Sequence, residues 1–99
     1  MSEEIKKLEP KALWNNFYKL TQIPRPSKKE EQVAEFIKNF GKEHNLDTEV
    51  DETGNIVIRK PATKGMEDRE TVILQGHLDM VPQKNNDVDH DFANDPIDA

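Results

Sequence analysis

The spacing of apolar residues changes period once along this chain, near Leu46, and that change constrains its fold more than any other feature. Before Leu46 the apolar residues recur at three and four positions; after it they alternate. Leu13, Trp14, Phe17 and Leu20 make one helical stripe, and Pro10 suits the first turn because its missing N–H has no helical partner there. Ile23-Pro24-Arg25-Pro26 ends that helix, since each proline drives its predecessor out of helical geometry. Ser27, with Glu30 three residues on, has the form of a capping box that opens a second helix. Val33, Phe36, Ile37 and Phe40 are its apolar face, and Asn45 suits a left-handed residue closing it. The spacing of Trp14, Phe17, Phe36 and Phe40 is that of two amphipathic helices, which assigns them to packing and not to a stacking platform.

Leu46, Thr48 and Val50 alternate with Asp47, Glu49 and Asp51, as in a half-exposed strand. Thr53-Gly54-Asn55 supplies a turn and Ile56-Val57-Ile58 the return, so the pair predicts a hairpin. Beyond a polar loop from Pro61 to Arg69, Thr71-Val72-Ile73-Leu74-Gln75 reads as a third strand, apolar enough to be buried on both faces. The expected architecture is therefore α/β. Two helices pack on one side of a sheet formed by Leu46–Asp51, Asn55–Lys60 and Thr71–Gln75. From Gln83 to Ala99 neither period persists. Five aspartates against Lys84 place −4 of the chain's net −6 there, which predicts a weakly anchored acidic tail.

Composition narrows the chemistry. With no cysteine, disulfides, thiolate metal sites and cysteine nucleophiles are excluded. Ninety-nine residues, 33% hydrophobic and 34% charged, leave room for one thin core. The acidic balance disfavours nucleic acid as a partner. Met1-Ser2-Glu3-Glu4 opens no apolar leader and no run approaches membrane-spanning length, so the expectation is a cytoplasmic protein without a membrane partner.

The third strand carries the chemistry. It leads into Gly76-His77-Leu78-Asp79-Met80-Val81-Pro82, and on an extended backbone side chains at i and i+2 share a face. An imidazole with a carboxylate to fix its tautomer is half of a zinc site. By itself His77 also fits an ordinary, partly buried histidine at a strand end. His44 reads as a surface residue near a helix end. His90 lies among Asp87, Asp89, Asp91 and Asp95, yet that run lacks the glycine and distant glutamate of a calcium loop, which favours a solvated acidic segment.

Longer motifs add a resemblance. They are Ile23-Pro24-Arg25-Pro26-Ser27 with Glu30-Glu31-Gln32; Gly54-Asn55-Ile56-Val57-Ile58-Arg59-Lys60-Pro61-Ala62; Gln75 to Asn85; and His90-Asp91-Phe92 with Asp95-Pro96-Ile97. Through them the chain resembles the N-terminal part of the aminoacyl-histidine dipeptidases (Xaa-His or beta-alanyl-histidine dipeptidases, carnosinase-like). These belong to the co-catalytic zinc aminopeptidases and carboxypeptidases. His-x-Asp-x-Val-Pro is shared across that wider family, and Gln83-Lys84-Asn85 points to the dipeptidase branch.

The resemblance implies the N-terminal portion of a zinc-peptidase-like α/β/α catalytic domain. In it His77 is a metal ligand and Asp79 the catalytic-site aspartate that orients it. The implied parent is a cytoplasmic hydrolase holding two zinc ions, or other divalent metals, and cleaving Xaa-His dipeptides. The family's lid and dimerisation domain makes a homodimer compatible with that parent. The remaining ligands and the general base would lie beyond Ala99, so this chain alone is expected to be catalytically incomplete. Two alternatives stand beside this reading: an amidohydrolase of the same family acting on N-acyl amino acids, and a non-catalytic α/β interaction module.

Overall fold

The computed structural model describes residues 2–99. A short 3₁₀ helix, Ser2–Lys7, precedes α1 (Lys11–Thr21) and α2 (Glu31–Glu43); β1 (Asp47–Val50) and β2 (Ile56–Arg59) follow. The chain divides into two units. One comprises residues up to Val33 together with Leu78–Ala99, the other Ala34–His77.

In the first unit, α1 starts where the proline argument places it. Pro10 is the N-cap residue with extended backbone, and Trp14 N–H donates back to its carbonyl at 3.3 Å. The stripe on α1 is less buried than its spacing predicts: Leu13 and Phe17 remain exposed, and Trp14 and Phe17 meet edge to face at 5.8 Å. Lys6 of the 3₁₀ helix lies over the Tyr18 ring at 4.4 Å, a cation–π contact with α1. At the end of α1 Thr21 is buried, and its hydroxyl donates to the Tyr18 carbonyl at 2.6 Å.

The capping box at Ser27 does not form. Helix α2 begins at Glu31, three residues beyond the Lys28 start that a cap at Ser27 would give. Pro26 to Lys29 instead make a turn, with Lys29 N–H donating to Pro26 O at 2.9 Å and Lys28 in the left-handed region at φ 71°. Glu30 accepts from Lys28 N–H, and the Ser27 hydroxyl is used elsewhere. Competition from a distant acceptor has overridden a local motif.

In the second unit the closing residue of α2 is as expected. Asn45 has φ 56°, and Leu46 N–H reaches back to Gly41 O at 2.9 Å, a Schellman closure. Strands β1 and β2 pair antiparallel with Thr48 opposite Ile58 and Val50 opposite Ile56. Arg59 bridges Asp47 and Glu49 on the exposed side, at 3.3 and 2.8 Å. The hairpin turn is organised by Asp51, whose carboxylate accepts from Thr53 N–H, Thr53 Oγ1, Asn55 N–H and Asn55 Nδ2 at 2.8–2.9 Å. Gly54, at φ 94°, takes the left-handed position the turn needs.

Thr71–Gln75 is not a strand. Among the described residues the sheet contains only β1 and β2. Val72, Ile73 and Leu74 are 78%, 87% and 93% exposed, the opposite of the double-sided burial expected from their character. The reason is that a buried strand is stabilised by neighbours hydrogen-bonded along its edges and by cover on its faces. The described residues offer this segment no ladder partner. Composition specified a strand; pairing decides whether one forms.

Candidate functional site

Two short segments distant in sequence are stitched together in the first unit. Met80 N–H donates to Arg25 O at 2.9 Å and Ser27 N–H donates to Met80 O at 3.1 Å. Pro26 and Met80 thereby form a parallel bridge. Arg25 strengthens the junction from the side. Its guanidinium donates to the Leu20 carbonyl and, at 3.4 Å, to the Met80 sulfur, and partial burial lowers its pKa. The consequence for chemistry is local: Asp79, half-buried, receives the Ser27 hydroxyl on Oδ2 at 2.6 Å. That distance is in the range of a charge-assisted O–H···O⁻ bond. His77, the last residue of the second unit, presents an exposed imidazole.

Beside the junction, a cleft of about 370 Å³ is walled by Pro24, Arg25, Met80, Pro82, Val88 and Phe92, among others. The His90 ring meets Phe92 edge-on at 5.0 Å. Asp91 caps its own turn, accepting from Asn94 Nδ2 at 2.8 Å and Ala93 N–H at 3.0 Å. Those hydrogen bonds, the Asn94 side chain first, hold its pKa below the usual carboxylate range. This carboxylate organises a turn. Ile97 N–H donates to Thr21 O at 2.8 Å, tying the end of the tail to α1. His44 stacks at a tilt on Phe40, 4.3 Å between centroids, at the end of α2.

Can these residues hold a metal? Among the described residues, no three His, Asp or Glu side chains are gathered as a coordination set. A zinc site needs about four ligands, of which an imidazole is one of the commonest. His77 fits as a single ligand, and the donor chemistry of a neutral imidazole with a carboxylate two residues away suits zinc. The residues fit one corner of a centre and not a whole one.

Sequence reasoning missed Ser27. It assigned that hydroxyl to a helix cap, and no spacing signal links it to a carboxylate 52 residues away.

The chain is of mixed α/β structure and carries a hydrogen-bonded aspartate two residues after a histidine, the motif through which it resembles the dipeptidases. Comparison with known proteins specifies it further. Over 94 residues the chain is 57% identical to the cytosol non-specific dipeptidase of Escherichia coli (strain K12), a match covering 95% of this chain and 19% of that protein. The crystal structure of aminoacylhistidine dipeptidase from Vibrio alginolyticus matches with a TM-score of 0.90 and 52% identity, over 98% of this chain and 20% of that one. No family model matches the sequence. The homologues of this chain are thus dipeptidases, as its motifs implied, and the chain spans about a fifth of their length. Among the described residues, no helix is long and apolar enough to cross a membrane.

Proposed function

We propose that this sequence is part of a zinc-dependent dipeptidase that hydrolyses Xaa-His dipeptides in the cytoplasm, with His77 as a metal ligand and Asp79 as the residue that orients it. The observation that carries the reading is the Gly76-His77-Leu78-Asp79 motif, lying in a chain 57% identical to a dipeptidase, with its aspartate fixed by a short hydrogen bond. The names of the two relatives support the reaction type, and the word "cytosol" in one of them supports the compartment.

In this reading His77 supplies the lone pair of one ring nitrogen. Asp79 accepts a hydrogen bond from the other, which selects the ligating tautomer and raises the donor strength of the ring. Zinc, when bound, polarises the scissile carbonyl and lowers the pKa of a water molecule so that it becomes a nucleophile near neutral pH. The further ligands, the second ion and the general base come from sequence outside these residues. The substrate is a small dipeptide, and the assembled enzyme a homodimer.

The test is made on the full-length protein that carries this sequence. Metal analysis should find about two zinc ions per chain, the co-catalytic arrangement. β-Alanyl-histidine should be cleaved, and N-acetyl amino acids should not. His77→Ala should abolish turnover. Asp79→Asn should lower zinc affinity or activity by about 10–100-fold, the usual effect of losing an orienting partner. Preferential cleavage of N-acetyl amino acids would transfer the protein to the deacylase alternative. Full activity in either variant would remove these residues from the site.

A further inference from the structure

We propose that Met80 is a site of reversible oxidation by hydroperoxides, and that Arg25 restricts the product to one of the two sulfoxide epimers. The inference rests on the geometry of the first unit and is independent of the zinc reading above.

Met80 is 44% exposed, so a small peroxide reaches it. Its backbone is held on both sides: the N–H donates to Arg25 O at 2.9 Å, and the carbonyl accepts from Ser27 N–H at 3.1 Å. Its sulfur accepts from Arg25 Nη2 at 3.4 Å. Methionine is ordinarily an adaptable side chain, unbranched and with three rotatable bonds. Here its base and its sulfur are both tied to the Arg25–Ser27 segment. The guanidinium is tied in turn, because Nη1 donates to the Leu20 carbonyl near the end of α1.

The stereochemistry follows. A thioether sulfur carries lone pairs on both sides of its C–S–C plane, and oxidation from each side gives a different epimer. A donor seated on one side leaves the other to react. That lone pair attacks one oxygen of the hydroperoxide, and the S–O bond forms as the O–O bond breaks. The departing oxygen leaves with the bonding electrons and takes up the proton released by the transferred oxygen, giving water. Sulfur is oxidised by two electrons and the peroxide is reduced by two. Met80 walls the cleft with Pro24, Pro82, Val88 and Phe92, so oxidation sets a polar group in an apolar wall. In the reverse step two thiols supply the electrons and leave as a disulfide, with the oxygen released as water. Each class of sulfoxide reductase accepts one epimer, so a single class should repair most of the oxidised Met80.

Met66 isolates the contribution of Arg25. It is 46% exposed, as open as Met80. Among the described residues it is anchored through its backbone, N–H to Thr63 O at 2.8 Å, and not through its sulfur. Exposure alone predicts the same products at both methionines. A seated donor predicts a difference.

The experiment oxidises the full-length protein with dilute hydrogen peroxide, digests it, and treats portions with each of the two epimer-specific reductases. Mass spectrometry then reads the epimer ratio in the Met80 and Met66 peptides. Met80 should show an excess of about fivefold, the ratio that one ordinary net hydrogen bond sets, and Met66 nearly equal amounts. Oxidation in strong denaturant should equalise the epimers at Met80 as well. Arg25→Ala, checked for native circular dichroism, should lose the excess, and Arg25→Lys, which keeps a cationic donor, should retain part of it. Equal epimers at Met80 in the native protein would overturn the inference, as would a Met80 that stays reduced while Met66 is oxidised. An excess that persists in folded Arg25→Ala would assign the selectivity to another neighbour and overturn it equally. None of these readouts depends on zinc or on turnover, so the proposed function stands or falls separately.

Discussion

Asp51 does the work of a turn template with a single exposed carboxylate. Four donors from Thr53 and Asn55 converge on it, and they hold its pKa at about 2 against an ordinary 3.8, the Asn55 side chain contributing most. Because the folded-state pKa is depressed, the ionised form favours the hairpin. That contribution is complete above pH 4 and is lost as the pH falls from about 4 towards 2. Full exposure means water competes for the same carboxylate, so the effect belongs to the hairpin and not to global stability. Titration of the Asp51 carboxyl carbon by NMR should give a midpoint near 2, and Asp51→Asn should remove the acid-sensitive step in hairpin order. A midpoint close to 3.8 would mean the four donors do not hold it.

At the scale of elements, Gly41 decides how closely α2 and the hairpin meet. A Cβ there would overlap Thr48 Oγ1 and stand 3.3 Å from Ile58 Cδ1. Alanine in a helix is intrinsically better than glycine by about 1 kcal/mol, whereas forcing an extra methyl into a closed contact costs about 1–3 kcal/mol. The second effect wins. Gly41→Ala should be destabilising by up to about 2 kcal/mol in chemical denaturation, the difference between those two terms. Thr48→Ala in the same chain should recover part of the loss by removing the atom that clashes, an interaction a double-mutant cycle will read. Simple stabilisation by Gly41→Ala would show that the contact yields freely.

For the whole molecule, the important surface is the exposed aliphatic segment Thr71–Gln75. Thr71-Val72-Ile73-Leu74-Gln75 carries no charge and no proline, and its three aliphatic side chains are almost fully exposed. Uncharged β-branched segments with open backbone edges pair readily with other chains. The 99 residues prepared by themselves should therefore self-associate in sedimentation velocity, and Ile73→Lys should reduce that association. A monomer at high concentration would contradict the expectation. The same 99 residues should hold zinc only weakly in calorimetric titration and leave β-alanyl-histidine intact overnight. One imidazole supplies one of the roughly four ligands that fix such an ion. Sub-micromolar zinc affinity abolished by His77→Ala would reveal a complete site within these residues.

What the sequence determined by itself was everything whose cause lies within a few residues. Pro10 began α1, Asn45 closed α2 in a left-handed conformation, and Asp51 to Asn55 turned the hairpin with the expected strands on either side. The motif around His77 and Asp79 was also legible, because the resemblance rests on contiguous residue types and survives any error in secondary structure. Tertiary structure decided the rest. It spent the Ser27 hydroxyl on Asp79 and not on a helix end, left half of the α1 stripe in solvent, and denied Thr71–Gln75 the neighbours that would make it a strand. The reason is the same in each case. A cap or a turn is satisfied by donors and acceptors a few residues away, whereas a strand, a buried face or an oriented carboxylate needs partners that only distant parts of a chain can supply.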